Sequence, residues 1–245
     1  MEPQIWALMA LAAFLVGLSK GGLSMIGVLA VPLAALAINP VLAAALLLPV
    51  YVLSDLFGLL AYRRQFDARV ILRLTPGMLA GVALGWATAS LVSPDAVGGL
   101  VGVIGLGFAL WSLLRPPPPD AAPRPARWLP GTIWGGLAGY TSFVSHSGAA
   151  PYQVYVQPLR LGREAYAATV TVFFAITNAV KLIPYAALGM LSVDNLWLSA
   201  SLFPIAAAGV GIGVWAVRRI SERGFYLFIT WALLLVSLRL IWAAF

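Results

Sequence analysis

The chain consists largely of long apolar runs that carry almost no charge, and this constrains its fold more than any other feature. The runs cover about 4–38, 40–62, 74–92, 96–114, 129–158, 164–187, 194–217 and 224–243. A bilayer core is crossed by roughly 20 apolar residues in a helix, because a helix satisfies its own backbone where no water is present. Six of the eight runs are close to that length. Charged residues make up only 9% of the chain, against about 25% in a water-soluble domain, so a solvated surface is excluded. The alternating pattern of a membrane β-barrel is absent. The expected class is an all-α polytopic membrane protein with about eight membrane segments, or ten if half-helices are counted separately. The opening MEPQIWALMA lacks the basic region of a cleaved signal, so the first run reads as retained.

The first and fifth runs are too long for one span, and each has a break. GLSKGG stands at 17–22 and SFVSHSGAAP at 142–151. Glycine and serine interrupt the apolar pattern there, so each run is read as two shorter helices joined by a turn. Between the fourth and fifth runs lies RPPPPDAAPRPAR, 115–127, which proline keeps from being helical. It divides the chain into a first transmembrane repeat (1–114), a linker (115–128) and a second transmembrane repeat (129–245).

The two halves resemble each other. PGMLAGVALG (76–85) overlies PIAAAGVGIG (204–213) at a shift of 128 residues, and SKGG (19–22) overlies SHSG (145–148) at 126. Asp55 and Tyr62 overlie Asn178 and Tyr185 at 123. The arginines then give the orientation. Arg63, Arg64, Arg69 and Arg73 fall in the second loop of the first half, whereas Arg160, Arg163, Arg218, Arg219 and Arg223 fall in the first and third loops of the second. Basic loops stay cytoplasmic, so the halves are expected to cross the membrane in opposite senses, as inverted-topology repeats. The linker is then cytoplasmic and both termini are outside. Arg239 fits less well and is expected to snorkel to the interface. The net charge of +7 arises from these flanking arginines and not from a nucleic-acid surface.

Candidate site residues cluster at the breaks. Lys20 lies within an apolar run, where a charge costs about 2.5–3.5 kcal/mol on insertion scales. Gly21 and Gly22 let the chain turn, and a new helix is expected near Gly22, with Ser24 in its first turn. The free amides of such a turn, with the ammonium, suit an anion. His146, the only histidine, overlies Lys20, with Ser147 and Gly148 after it and Pro151 in the first turn of the next helix. Asp55 lies mid-span, as an ion-pair partner for a lysine or a carrier of protons. Asn178 and Lys181 are one turn apart on a single helix face. Tyr152, Gln153, Tyr155 and Gln157 either line a path or satisfy one another. The glycines at 98–107 serve close helix packing. Without cysteine or a second histidine, no metal centre is expected, and no cofactor motif is visible.

At GLSKGGLSMIGVLAVPLAAL, AAALLLPVYVLSDLFGLLAYRRQFD and GYTSFVSHSGAAPYQVYVQPLRLGREAYAATVTVFFAITNAVKLIPYAALG, the chain resembles the sulfite exporter TauE/SafE family over essentially its whole length. The resemblance implies a transporter that moves sulfur-containing anions such as sulfite, sulfonates or sulfoacetate, mostly outward, in a bacterial plasma membrane. The two breaks are expected to approach each other near the midplane, with Lys20, Lys181 and His146 around the anion and Asp55 coupling a proton to an alternating-access cycle. A passive anion channel and, less favoured, a membrane-embedded enzyme using Asp55 and His146 are the other readings. The expected partners are the small anion and the bilayer; whether the chain forms a homo-oligomer stays open.

Overall fold

A computed structural model describes residues 2–63, 65–89, 91–114 and 122–244. Arg64 and the first part of the linker, 115–121, lie outside the described residues. The described residues form ten α-helices and no strand: α1 Pro3–Lys20, α2 Ala30–Ala34, α3 Pro40–Tyr62, α4 Ala68–Thr88, α5 Pro94–Leu114, α6 Trp128–Ser145, α7 Ala149–Val156, α8 Arg163–Ala187, α9 Val193–Arg219 and α10 Glu222–Trp242. Two 3-10 segments, Ser24–Leu29 and Gln157–Leu159, follow the breaks. Among the described residues, seven helices (α1, α3, α4, α5, α8, α9 and α10) are long and apolar enough to cross a membrane. The chain is a multi-pass integral membrane protein. Large apolar side chains such as Leu72, Leu84, Ile133, Ile183 and Trp197 point outward, as a lipid-facing surface requires.

Both long runs are broken where the sequence places the breaks. The details differ in two places. The segment after Gly22 is a 3-10 helix leading into the five-residue α2, not a new α-helix. Pro32 removes the amide that would bond to the Val28 carbonyl, and Ile26 and Val28 are β-branched, so the tighter turn is favoured. Helix α4 starts before the apolar run does, at Ala68. The Asp67 carboxylate caps it by accepting from the amides of Arg69 and Val70, which draws Arg69 and Arg73 from the expected loop into the helix.

The chain packs as two compact units that cut across the sequence halves. One comprises Met1–Phe66 and Ala167–Ile220; the other comprises Asp67–Tyr166 and Ser221–Phe245. In the first unit α1 lies against α9, and in the second α4 lies against α6. Both pairs run parallel and are seamed by small residues. A methyl group added to Gly21 would meet the Gly213 Cα at 2.6 Å, and one on Gly209 the Gly17 Cα at 3.1 Å. In the second unit Gly77 and Gly81 take the backbone of Thr132 and Gly136 in the same way. The partners are reciprocal under the repeat. Helices α1 and α6 correspond, α4 and α9 correspond, and each pairs with the other's counterpart. The glycines of α5 serve packing too: a methyl on Gly102 would strike the Ser237 carbonyl of α10 at 2.7 Å.

These seams predict a contrast within one helix. Gly213→Val should lower the melting temperature of the detergent-solubilised protein, at an overpacking cost of about 1–3 kcal/mol. Gly211→Val, where an added methyl meets nothing within 4 Å, should leave it unchanged. Equal sensitivity at the two positions would show that the seam is not tightly packed.

Candidate functional site

Helix α1 ends at Lys20 because the next two residues are glycines. Gly22 adopts a φ of 109°, a region that glycine enters without strain. A Cβ there would also strike Ala167 at 2.6 Å. Ending a helix inside an apolar surrounding leaves carbonyls without amide partners. Here hydroxyls supply them. Thr171 Oγ1 donates to the Lys20 carbonyl at 3.2 Å, and Tyr62 Oη donates to the Gly21 carbonyl at 2.7 Å. Tyr51 Oη donates to the Gly27 carbonyl in the 3-10 segment at 2.9 Å. The broken segment is thus fastened to α3 at two points and to α8 at one.

The lysine turns inward. Its Nζ lies 2.7 Å from Asp55 Oδ1, 5.2 Å from the centre of the Tyr51 ring and 5.9 Å from that of Phe174. Asn178 Nδ2 donates to the other carboxylate oxygen, Oδ2, at 2.8 Å. Lys181 is wholly buried one turn further along α8. Its ammonium sits 5.7 Å from the centre of the Tyr185 ring and within electrostatic reach of both Lys20 and Asp55. Lys20, Asp55, Asn178 and Lys181 are each at most 4% exposed. Two lysines and one aspartate therefore share a buried site, a formal excess of one positive charge. Asp55 is seven residues from the end of α3, about 10 Å along the axis, so the cluster lies about a third of the way along that span.

Two matching stripes build this site. On α3 they are Tyr51, Asp55, Gly58 and Tyr62; on α8 they are Phe174, Asn178, Lys181 and Tyr185. Every pair is separated by the same 123 residues. The fold therefore brings repeat-equivalent residues together: Asp55 bonds to Asn178, and Lys20 lies over both Tyr51 and Phe174. The spacing of four, three and four residues keeps each stripe on one helix face. Gly58 stands where α8 has Lys181, and a methyl on it would hit the Lys20 carbonyl at 2.7 Å. Ser24, at the start of the 3-10 segment, and Ser54, within α3, have buried hydroxyls with no hydrogen-bond partner.

His146, Ser147 and Gly148 belong to the second unit. Helix α6 ends at Ser145, and His146 follows in the left-handed region at a φ of 54°, which costs a non-glycine residue roughly 1–2 kcal/mol. The Ser147 amide closes the turn on the Thr141 carbonyl, and its hydroxyl bonds to Ser145. Gly148 precedes α7, with Pro151 third in that helix. The glutamines bond to one another and to α10, while Gln153 Oε1 is buried without a hydrogen-bond partner. Gln153 Nε2 donates to Gln157 Oε1 and to the Ile229 carbonyl, and Gln157 Nε2 donates to Thr230. Among the described residues no cluster of side chains could hold a metal ion. Tyr51, Tyr62, Thr171 and Phe174 were not among the candidates read from the sequence. The 123-residue shift, applied one turn either side of Asp55, would have found Tyr51 and Phe174.

The family model described as Sulfite exporter TauE/SafE matches residues 9–240. Curated proteins and solved structures give no match.

Breaking one side of a buried pair leaves an uncompensated charge, at a cost of about 3–5 kcal/mol. Lys20→Met alone should therefore lower the melting temperature sharply in detergent. Adding Asp55→Asn to it should restore most of the loss. If the double variant is as unstable as the single one, the two groups are not energetically coupled.

Proposed function

Since the chain belongs to the sulfite exporter TauE/SafE family, a family of membrane transporters, we propose that it exports a small sulfur-containing anion, with sulfite and short sulfonates as the substrate class, and that Lys20 and Lys181 bind it. The observation that carries this reading is the buried cluster in which Lys20 is paired with Asp55 and a second lysine, Lys181, lies within electrostatic reach of both. Such a site repels cations and attracts an oxyanion. Asn178 and the unpaired hydroxyl of Ser24 are the neutral donors we assign to the same anion; Gly21 and Gly22, whose amides already bond to the Gly17 and Ser19 carbonyls, shape the turn beside it. Ser54 joins the donors on the same ground as Ser24.

In the ion-paired state Asp55 occupies the place of an anion at Lys20. The arriving substrate competes with that carboxylate, and a proton taken up by Asp55 releases the lysine. Substrate binding and proton binding are then linked, because each favours the same opened pair. An inside-negative potential assists outward movement of an anion by about 2.3 kcal/mol per charge per 100 mV. Reciprocal helix pairing and the facing 123-residue stripes support the duplicated architecture, and we assign the inverted orientation and a cytoplasmic linker on the arginine distribution. His146, Ser147 and Gly148 are assigned to anion contact through their repeat relation to Lys20, Gly21 and Gly22. The bacterial plasma membrane is the proposed location.

The test is sulfite flux in proteoliposomes. Lys181→Gln keeps a hydrogen-bonding side chain but removes a charge. Loss of one charge-assisted contact predicts a fall of about tenfold or more in flux, with an unaltered elution profile in detergent. Undiminished flux would remove Lys181 from the site. Saturable flux that is stimulated by substrate on the opposite side is expected of a carrier; non-saturating flux would favour a channel.

A further inference from the structure

A groove of about 580 Å³ runs along the outside of the α4–α6 pair in the second unit. Its volume is in the range of small-molecule sites, roughly 300–1,000 Å³. Gly77, Ala80, Gly81 and Leu84 of α4 line one wall, and Ile133 and Gly136 of α6 line the other. The groove exists because these residues are small: the helices come so close at Gly77 and Gly81 that no side chain fills the surface above the seam. It ends at Thr88, whose hydroxyl is 3.4 Å from that of Tyr140. From Gly77 to Thr88 is eleven residues, about 17 Å of helix. One leaflet of the hydrocarbon core is about 15 Å deep, half of ~30 Å.

Beyond the Gly77 end of the groove the two helices carry basic and aromatic residues. One turn before Gly77, the Arg73 guanidinium stacks 5.7 Å from the centre of the Trp128 ring. Its Nη1 donates to the Arg69 carbonyl at 3.0 Å, while its Nε is buried with no hydrogen-bond partner. Arg69 lies one turn earlier on α4, and Arg127 immediately precedes α6, its carbonyl accepting from Tyr155. An apolar channel one leaflet long, whose α4 wall is preceded by Arg73 and Arg69 and whose α6 wall is preceded by Arg127, matches one kind of membrane molecule. We propose that this groove binds an anionic phospholipid, with an acyl chain along Gly77–Leu84 and the phosphate at Arg73. A second copy of the chain is the less suitable occupant, because an apolar helix offers no anion to the arginines beyond the groove's Gly77 end.

The full-length protein, purified in detergent, can be tested by native mass spectrometry with phosphatidylglycerol and phosphatidylcholine of identical chains. The wild type should retain phosphatidylglycerol preferentially. Arg73→Gln should weaken that retention about fivefold, the share of one arginine at an anionic surface. Ala80→Phe, which fills the groove from an exposed position, should weaken retention of both lipids. Equal retention of the two lipids by the wild type would overturn the proposal, as would an unchanged preference in both variants. A dimer that forms without lipid and is lost in Ala80→Phe would also overturn it, by showing that the groove holds a second copy. Because sulfite flux does not enter the readout, failure here leaves the anion site untouched.

Discussion

The ion pair between Lys20 and Asp55 is the interaction on which the rest of the first unit depends. A lone ammonium at that depth would be expelled or would disorder the helix end. Held 2.7 Å from a carboxylate and between two aromatic rings, it becomes a stable part of the interior. The Gly21–Gly22 turn stops α1 beside Gly58, and the pair holds the end of the helix there. Ending the helix there exposes carbonyls, and Tyr62 and Thr171 are placed to satisfy them. Glycine at 22 follows from the same geometry, because the turn needs a positive φ and no Cβ. Lys20, Tyr62, Thr171 and Gly22 are thus each explained by a demand created by a neighbour.

A second constraint is close helix approach. In a bilayer, helices gain little from burying apolar surface against one another, since lipid is equally apolar, and packing of small residues takes over. The pairs α1–α9 and α4–α6 follow this rule with glycine against backbone. Tight, parallel pairs give each unit a rigid frame. Against the α1–α9 frame the charged cluster is held by side chains from α3 and α8, helices that correspond under the repeat.

Much of this was legible in the sequence, for identifiable reasons. Apolar runs marked the membrane helices because hydropathy is a local property. Lys20 and Asp55 stood out because charge is rare in such runs, and Asn178 and Lys181 shared a face because helical spacing dictates it. The 123-residue shift already linked Asp55 to Asn178. What it did not reveal was that equivalent residues would touch. That contact arises from tertiary pairing, as does the assembly of each unit from helices of both halves. Tyr62 was legible only as the repeat counterpart of Tyr185, and Thr171 not at all, because nothing in the sequence marks a hydroxyl that caps a helix end from another helix. The 3-10 segment after Gly22 was missed because its cause, Pro32, lies a full turn beyond it. The start of α4 was misplaced because Asp67 caps a polar first turn that hydropathy alone assigns to a loop.

The central claim is that the buried cluster binds an oxyanion at its two ammonium groups. The most direct measurement is anomalous diffraction from crystals of the protein soaked in selenite, a heavier analogue of sulfite. A selenium peak in contact with the Lys20 and Lys181 ammonium groups, lost when excess sulfite is added, is the predicted result. An empty cluster in crystals whose selenite binds only elsewhere would contradict it.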